Sequence, residues 1–480
     1  MTKFAQSSKI SFAESEFLGE MSMKKNKFEI DMCNGSIMDK LISFSLPLML
    51  TSILQLMFNA VDIIVVGRFS GSQALAAVGS TTALINIFTN LFIGISLGAN
   101  VLAARYYAAG RDKEMSEAVH TAIALALVSG IIMAFVGVGA SRFALELMAT
   151  PADVIDQSVV YMRIYFMGMP FFMLYNYGAA VLRAVGDTKR PLFFLLAAGM
   201  TNVVLDLLLV IVIPLGVAGV AIGTVASQMI SCILVLWCLH RTEGSYQLRF
   251  SKLRIRGIYL KRIFQVGIPA GIQSTVINFS NALLQSSVNS FGSTAMAGYT
   301  AANNVLGFLY SSINAVTQAC MSFTSQNYSV GKTKRMDRVF VDCIILSVGV
   351  SAVLGVGAYV FGSQVLGIYT SDPEVIQCGL EILSITTVPY FLCGIMDLIP
   401  GALRGMGHSG VPMILSIIGT VGTRILWIYA FFPQHRSLYF LFISYPGSWI
   451  ATIVMQAVCF YFVRKQCMRQ IHQEVPSGRK

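Results

Sequence analysis

The chain has 480 residues, of which 55% are hydrophobic and only 12% are charged, and its formal net charge at pH 7 is +11. Soluble globular domains carry about 25% charged residues, so this composition excludes them and indicates an integral membrane protein. The nine cysteines are scattered without a C-x-x-C pair, which argues against a disulfide framework and against a metal cluster.

The chain begins with a polar stretch, residues 1–36, that lacks the apolar centre of a signal peptide and is expected to be a flexible cytoplasmic tail. Apolar runs of about 20 residues follow, and such runs cross the hydrocarbon core as helices because a helix satisfies its own backbone there. We predict about 12 spans, at residues 41–68, 78–108, 117–146, 154–182, 190–213, 217–240, 260–290, 295–329, 337–367, 375–404, 411–431 and 442–464.

Lysine and arginine are sorted among the connecting loops. With the amino terminus inside, most of the 34 fall in the two tails and in alternate loops, and seven lie in residues 241–262 alone. This bias follows the positive-inside rule and predicts a multi-pass protein of the inner (plasma) membrane with both termini cytoplasmic. Because the positive charge then belongs to the inner face, no nucleic-acid partner is expected.

A repeat divides the chain, since VLRAVGDTKRPL at 181–192 is followed by ALRGMGHSGVPM at 402–413. The copies share four residues at an offset of 221 positions, namely Leu182 and Leu403, Arg183 and Arg404, Gly186 and Gly407, and Pro191 and Pro412. We predict two pseudo-symmetric, parallel six-helix lobes at 37–240 and 260–465, a basic linker at 241–259 and a cytoplasmic tail at 466–480. Two bundles facing a cleft suit alternating access, so we expect a transporter.

Each copy of the motif falls where the fourth span of its half leaves the membrane. Glycine permits a tight turn there, and proline suits the first turn of the next helix. The arginines are expected to meet lipid phosphates and the carbonyls at the helix end. We interpret the motif as a hinge and anchor rather than a substrate site, with Asp187 as a candidate cap of the following helix.

The LR-x-x-GD-T-K-x-P run, its second copy and the twelve spans in two halves resemble the MATE family of multidrug and toxic-compound extrusion transporters. The resemblance covers residues 37–465. It implies an all-α integral membrane protein and a cation-coupled exporter whose two six-helix lobes form a V-shaped central cavity.

Two acids lie inside predicted spans, where an ionisable side chain is costly unless it is paired or faces a polar cavity. Asp62 lies in span 1, and Asp206 lies in span 5 with Asn202 four residues before it on the same helical face. These three residues match the DinF-like branch of the family, which implies proton coupling, or in some accounts sodium coupling, in the N-terminal lobe. Thr224 in span 6 matches the hydroxyl residue of that network less closely.

The chemistry of these residues agrees with a coupling role. Burial and a second carboxylate both disfavour the charged form of a carboxyl group, so such a pair can bind a proton on one side and release it on the other. Sodium is a rival because carboxylate, amide and hydroxyl oxygens also bind hard cations. The structural alternative is that both acids only make helix–helix contacts.

The C-terminal half lacks this pair, because Leu283 and Trp427 stand at the corresponding positions. It has instead Asp397 in span 10 and Arg424 in span 11. These two residues form either a buried pair that stabilises the lobe or a substrate or ion site, and both interpretations stay open.

Methionine and aromatic side chains within the spans suit a cavity that accepts varied apolar and cationic compounds. For that cavity we single out Met57, Phe58 and Tyr175, together with Asn176, which occupies the position of Asp397 in the first half.

Several classes are excluded by absent motifs. No G-x-x-x-x-G-K-[ST] or H-E-x-x-H occurs, so we expect neither direct use of ATP nor an enzyme. We predict a monomeric antiporter that exports amphiphilic or cationic compounds in exchange for protons or sodium, without a metal or other cofactor. The alternative is a flippase of the same superfamily for lipids or lipid-linked oligosaccharides, which needs several cavity cations where only Arg424 and Arg163 are candidates.

Overall fold

The computed structural model describes residues 28–148 and 150–474, and every regular element in that part of the chain is helical. The first half contains α1 (Met38–Phe69), α2 (Ser72–Ala108), α3 (Asp112–Leu147), α4 (Ile155–Met167), α5 (Met169–Ala184), α6 (Lys189–Leu207) and α7 (Val217–Arg241). The second contains α8 (Gly257–Asn289), α9 (Ser293–Ser329), α10 (Thr333–Val360), α11 (Gly362–Gly367), α12 (Pro373–Thr386), α13 (Tyr390–Gly405), α14 (Gly410–Ser416), α15 (Thr423–Leu426), α16 (Leu438–Phe442) and α17 (Ser444–Glu474). Three π-helical segments, Leu208–Val212, Ile417–Gly422 and Trp427–Phe431, extend α6 and flank α15.

The sequence repeat is also a repeat of backbone structure. The helices α2 and α9 both have 37 residues and begin at positions 72 and 293, which are 221 apart. The same offset relates α5 to α13, both of 16 residues, which begin at 169 and 390. Turn glycines repeat as well, with φ of +88° at Gly71 and +98° at Gly292. The repeat in sequence therefore specifies where helices begin and end.

The predicted fold class, an all-α membrane protein of two six-helix halves, is confirmed. Within the described residues eight helices are long and apolar enough to cross a membrane, and the pair α12–α13, bent by 53°, makes a ninth. The other predicted spans correspond to α8, to α9 and to the pair α4–α5. The two interrupted spans break beside Pro170 and Pro389. Proline causes such breaks because it lacks a backbone N–H and its ring crowds the preceding turn.

Both predicted tails are partly structured. Met32 is fully buried among Leu41, Phe44 and Phe323, so residues 28–36 are packed against the helices rather than flexible. At the other end α17 continues to Glu474, and its Cys467 is fully buried. Residues 1–27 and 475–480 lie outside the described part of the chain.

Apolar side chains form one large cluster in the first half and a second one in the second half. The beginning of the first helix of each half packs against the other half. Leu41, Phe44 and Leu48 of α1 pack with α9, α10 and α13, whereas Tyr259 and Ile263 of α8 join the cluster of the first half. Each lobe therefore contacts the other through the opening turns of its first helix.

The two halves touch most closely where α2 crosses α8. A Cβ atom on Gly94 would lie 2.3 Å from the Cα atom of Gly271, and one on Gly98 would lie 2.2 Å from the carbonyl oxygen of Ile263. Real Cβ atoms do not approach backbone that closely, so glycine is required at this crossing. The crossing is the membrane-protein pattern in which small residues let two helix backbones come into contact.

Hydrogen bonds join the halves near one face of the protein. We call this the basic face; it is formed by residues 28–37, 109–111, 185–188, 242–256, 330–332 and 406–409. Ser325 Oγ donates to the Val101 carbonyl at 2.8 Å, and Gln326 Nε2 donates to the Ala184 carbonyl at 2.7 Å. Arg105 Nη2 donates to the Gly405 carbonyl at 3.0 Å. Among the described residues, every hydrogen bond between the halves joins helix segments near this face, so the protein is closed there.

We predict that Gly98→Ala destabilises the protein by about 1–3 kcal/mol, because the methyl group would force the two backbones apart. Gly79→Ala on the same helix is the control, since a Cβ atom there meets nothing within 4 Å. Alanine favours helix by about 1 kcal/mol over glycine, so the control should keep or raise the Tm. Thermal unfolding in detergent measures both. Equal Tm values for the two variants would contradict the close crossing.

Candidate functional site

The four residues predicted for ion coupling meet inside the first half. Asp62 of α1 and Asp206 of α6 are 8% and 0% exposed, and their carboxyl groups face each other at hydrogen-bonding range. Thr224 Oγ1 of α7 donates to Asp62 Oδ2 at 3.4 Å, and Asn202 Nδ2 donates to Asp206 Oδ1 at 3.4 Å. Three helices distant in sequence therefore supply a single polar cluster.

Two local features of the backbone place Asp206. A Cβ atom on Gly223 would lie 2.2 Å from Asp206 Oδ1, so the missing side chain allows this carboxyl group to lie against α7. Directly after Leu207, α6 becomes the π-helical segment Leu208–Val212. Such segments are rare and occur frequently at functional sites.

The cluster also contains residues that the sequence did not indicate. Tyr165 of α4 faces both Gln228 and Asp62, and its ring stacks on Tyr161 with centroids 6.3 Å apart. The sequence could have indicated Gln228, because it follows Thr224 by four residues and so shares its helical face. Nothing comparable links α4 to this site before the fold is known.

The two carboxyl groups have no positive partner, because neither Asp62 nor Asp206 forms an ion pair with any residue that the structure describes. Asp62 Oδ1 and Asp206 Oδ2 have no hydrogen-bond donor. Two ionised carboxylates in contact repel strongly away from water, so the pair needs a shared proton or a small cation.

The described residues contain no group of three or more His, Cys, Asp or Glu side chains that could hold a metal ion. A cation at this cluster would therefore be bound by two carboxylates together with amide and hydroxyl oxygens, which suits a hard ion.

In the second half the structure does not pair Asp397 with Arg424, which was one of the two interpretations left open. Asp397 faces Tyr310 and Arg404 instead. Arg424 is 3% exposed, donates to Asn281 Oδ1 at 2.8 Å and lies 4.2 Å from the centroid of the Tyr445 ring. Its charge is thus stabilised by an amide oxygen and an aromatic face rather than by a carboxylate.

The structure agrees only in part with the roles that the sequence predicted for the repeated motif. The tight turns are confirmed, because φ is +95° at Gly186 and +82° at Gly407, and Asp187 Oδ1 caps α6 by accepting from the Arg190 backbone N–H at 3.1 Å. The lipid-anchor role is wrong for Arg404, whose Nη2 donates to Gln273 Oε1 at 2.7 Å inside the lobe.

The remaining motif residues are Arg183 and the two prolines. Arg183 is half-buried beside Tyr175, and Pro191 and Pro412 are each the third residue of a helix, as the first-turn prediction required.

The candidate cavity residues have different environments. Met57 is 51% exposed, and Asn176 is half-buried with its amide donating to the Phe172 carbonyl. Tyr175 is only 6% exposed and its hydroxyl donates to the Pro191 carbonyl at 3.2 Å, so its assignment to the cavity is wrong. Phe58 is half-buried and packs on Gly199 at the crossing of α1 and α6.

Comparison with known proteins agrees with the duplicated architecture. The MatE family profile matches residues 47–208 and 269–430, one block in each half. The chain belongs to the MatE family. The chain is therefore a membrane transporter of the multidrug-efflux type.

Individual MatE relatives extend over most of the chain. The probable multidrug resistance protein YoeA of Bacillus subtilis is 28% identical over 89% of this chain and 95% of its own length. The multidrug export protein MepA of Staphylococcus aureus is 23% identical over 81% of this chain and 86% of its own. A solved outward-facing MATE transporter has the same fold, with a TM-score of 0.84 and 19% identity over 94% of this chain and all of that one.

We predict that Gly223→Ala lowers gradient-driven transport roughly ten- to a hundredfold, because its methyl group would displace the Asp206 carboxyl group and misplacements of about 1 Å can cost that much. The measurement is dye transport by purified protein in lipid vesicles. Gly139→Ala is the control, since a Cβ atom there meets nothing within 4 Å. Full transport by the Gly223 variant would show that the position of Asp206 does not matter.

Proposed function

We propose that the chain is a proton-coupled antiporter that exports amphiphilic, often cationic compounds by alternating access between its two lobes. The observation that carries the proposal is the contact of Asp62 with Asp206, which has no cationic partner among the described residues. A site of this kind holds one proton or small cation and changes its charge when that ion leaves. Sodium is the second candidate ion, because the Asn202 and Thr224 oxygens are available to it.

Proton binding can act on the lobe through the helices that carry the cluster. Asp62, Asp206 and Thr224 lie on α1, α6 and α7, so loss of the proton places net charge between three helices at once. The helices must then separate, or admit water, to lower the cost of that charge. A transported ion can shift a conformational equilibrium only by such a difference in binding between the two states.

The closed basic face supplies one end state of the cycle. In that state the α2–α8 crossing and the hydrogen bonds from Ser325, Gln326 and Arg105 bar passage near the basic face. The excess of lysine and arginine supports a cytoplasmic position for this face and for both termini, in the plasma membrane. In this state a substrate would leave on the side opposite the basic face. To bind the next substrate, the protein would pass through a second state that is open to the cytoplasm.

The substrate class is supported by the names of the relatives and by exposed, polarisable side chains. Both YoeA and MepA are named for multidrug resistance or export. Exposed side chains such as Met57 provide a polarisable surface without fixed geometry. The flippase alternative is not supported, because a diphosphate needs several cations and Arg424 is already engaged by Asn281 and Tyr445. We propose that a single chain, in the bilayer and without a cofactor, carries out this transport.

We predict that Asp62→Asn and Asp206→Asn each reduce proton-driven dye efflux by roughly ten- to a hundredfold, since each removes one oxygen ligand and the negative charge that the ion requires. Vesicles with an imposed pH gradient, and separate vesicles with a sodium gradient, identify the coupling ion. The readout is the initial rate of transport of a fluorescent cationic dye.

Asp156→Asn is the matched control, because Asp156 lies at the surface, with its side chain 80% exposed beside Arg142. Its transport rate should equal that of the wild type. Wild-type transport rates in both the Asp62 and the Asp206 variants would contradict the coupling assignment. Efflux driven by a sodium gradient but not by a pH gradient would identify sodium, rather than the proton, as the coupling ion.

A further inference from the structure

Residues 28–36, which we call the strap, cross the basic face before α1 begins and contact both halves of the protein. The proposed function assigns them no role, and the mostly polar composition of residues 1–36 as a whole gave no reason to expect packing. Their contacts fall into two groups, one at each end of a short piece of chain.

The first end of the strap is held by the N-terminal half. Glu29 accepts hydrogen bonds from the hydroxyl groups of Tyr107 at 2.8 Å and Tyr246 at 2.5 Å. These rings lie edge to face, 6.3 Å apart, so the carboxylate is held by a preformed pair. Ile30 lies directly on Gly186, where a Cβ atom would be 2.5 Å from the Ile30 carbonyl oxygen. The strap therefore covers the first copy of the repeated motif.

The second end is held by the C-terminal half. Asn327 Nδ2 donates to the Met32 carbonyl at 3.1 Å. Arg335 donates to the carbonyl groups of Asn34 at 2.9 Å and Gly35 at 2.8 Å, and also to that of Met32. Charged donors make stronger hydrogen bonds than neutral ones, so Arg335 fixes the backbone of this end. The fully buried Met32 side chain adds an apolar contact.

The distance between the two ends is limited by the chain. Met32 lies three positions after Glu29, and a fully extended chain covers at most about 3.6 Å per residue, or about 11 Å here. The halves therefore cannot move far apart at the basic face while both ends stay bound. The strap also continues directly into α1, whose Leu41 and Phe44 pack on the C-terminal half.

We propose that the strap is a latch for the state that is closed at the basic face. Its Glu29 end must detach from Tyr107 and Tyr246 before the lobes can part there, and its Met32–Gly35 end moves with the C-terminal half. The reason for this order is the number of bonds, because Glu29 has two neutral donors whereas the other end has Arg335, Lys332 and Asn327. The latch rests on the proposed alternating access.

The test measures the separation of the lobes directly and needs no transport. Lys113 and Lys334 are exposed, occupy equivalent positions in the two halves and lie at the basic face. Both are replaced by p-acetylphenylalanine, which takes a ketone-reactive spin label and leaves the native cysteines untouched. Electron–electron distance distributions are recorded for the full-length protein in lipid nanodiscs without substrate.

Glu29→Ala is expected to raise the ratio of the long-distance to the short-distance population about tenfold, as loss of two hydrogen bonds to a carboxylate predicts. Arg335→Ala should have an effect in the same direction. A latch is broken when either end is cut, so the double variant should differ little from the larger single effect. Simple addition of the two effects would overturn the latch and leave two independent contacts.

Arg338→Ala is the matched control, because Arg338 lies one turn further along α10 and pairs with Asp342 rather than with the strap. It should leave the distance distribution unchanged. An unchanged distribution in Glu29→Ala protein that still elutes as a folded monomer would also overturn the proposal. Failure here leaves the Asp62 and Asp206 assignment untouched, since no step of this measurement uses an ion gradient.

Discussion

Two carboxyl groups that meet inside a bundle of apolar helices can carry at most one negative charge between them unless a cation joins them. Asp62 and Asp206 are in that position, and the described part of the protein offers them no lysine or arginine. The surrounding features all serve to maintain this contact. Gly223 leaves space for the carboxyl group, the π-helical segment changes the course of α6, and Asn202 and Thr224 supply polar neighbours.

The two halves share a backbone plan but differ in chemistry. Helix limits and positive-φ glycines repeat at a constant offset, whereas the acid pair exists only in the first half. The second half contains a different polar group, Asp397 with Tyr310 and Arg404. Duplication thus conserved the features that the membrane imposes on the backbone, and the side chains of the two copies diverged.

Much of the fold could be predicted from the sequence because its signals are local or repeated. Apolar run length predicts spans, and the offset of 221 predicts two lobes. Three residues of the candidate site were found because an acid in a span is rare and Asn202 shares a face with Asp206, whereas Thr224 was indicated only by the family resemblance. The long-range partners were not predictable in this way. Nothing in the spacing indicated that Arg404 points to Gln273 inside the lobe, or that Tyr175 turns toward Pro191.

The packed N-terminal segment was missed for a related reason. It belongs to a mixed, mostly polar stretch, residues 1–36, and such a composition is typical of a tail. Here its polar groups form backbone and side-chain hydrogen bonds to two lobes. Its apolar residues, Phe28, Ile30, Met32 and Cys33, alternate with polar ones and form no long apolar run, which is too weak a signal to predict burial. Composition describes average behaviour, whereas this segment depends on specific partners hundreds of residues away.

The glycine crossing of α2 and α8 has a mechanical consequence. Because the two backbones touch at Gly94 and Gly271, this point can act as a fulcrum about which the helices tilt, while sliding there is blocked. From residue 94 to the far end of α2 is about 33 Å, but from residue 98 to the near end is only about 15 Å. A tilt of about 10° would then swing the long arm by about 6 Å and the short arm by under about 3 Å. The short displacement is comparable to one hydrogen-bond length, so a modest tilt suffices to break the seal at the basic face.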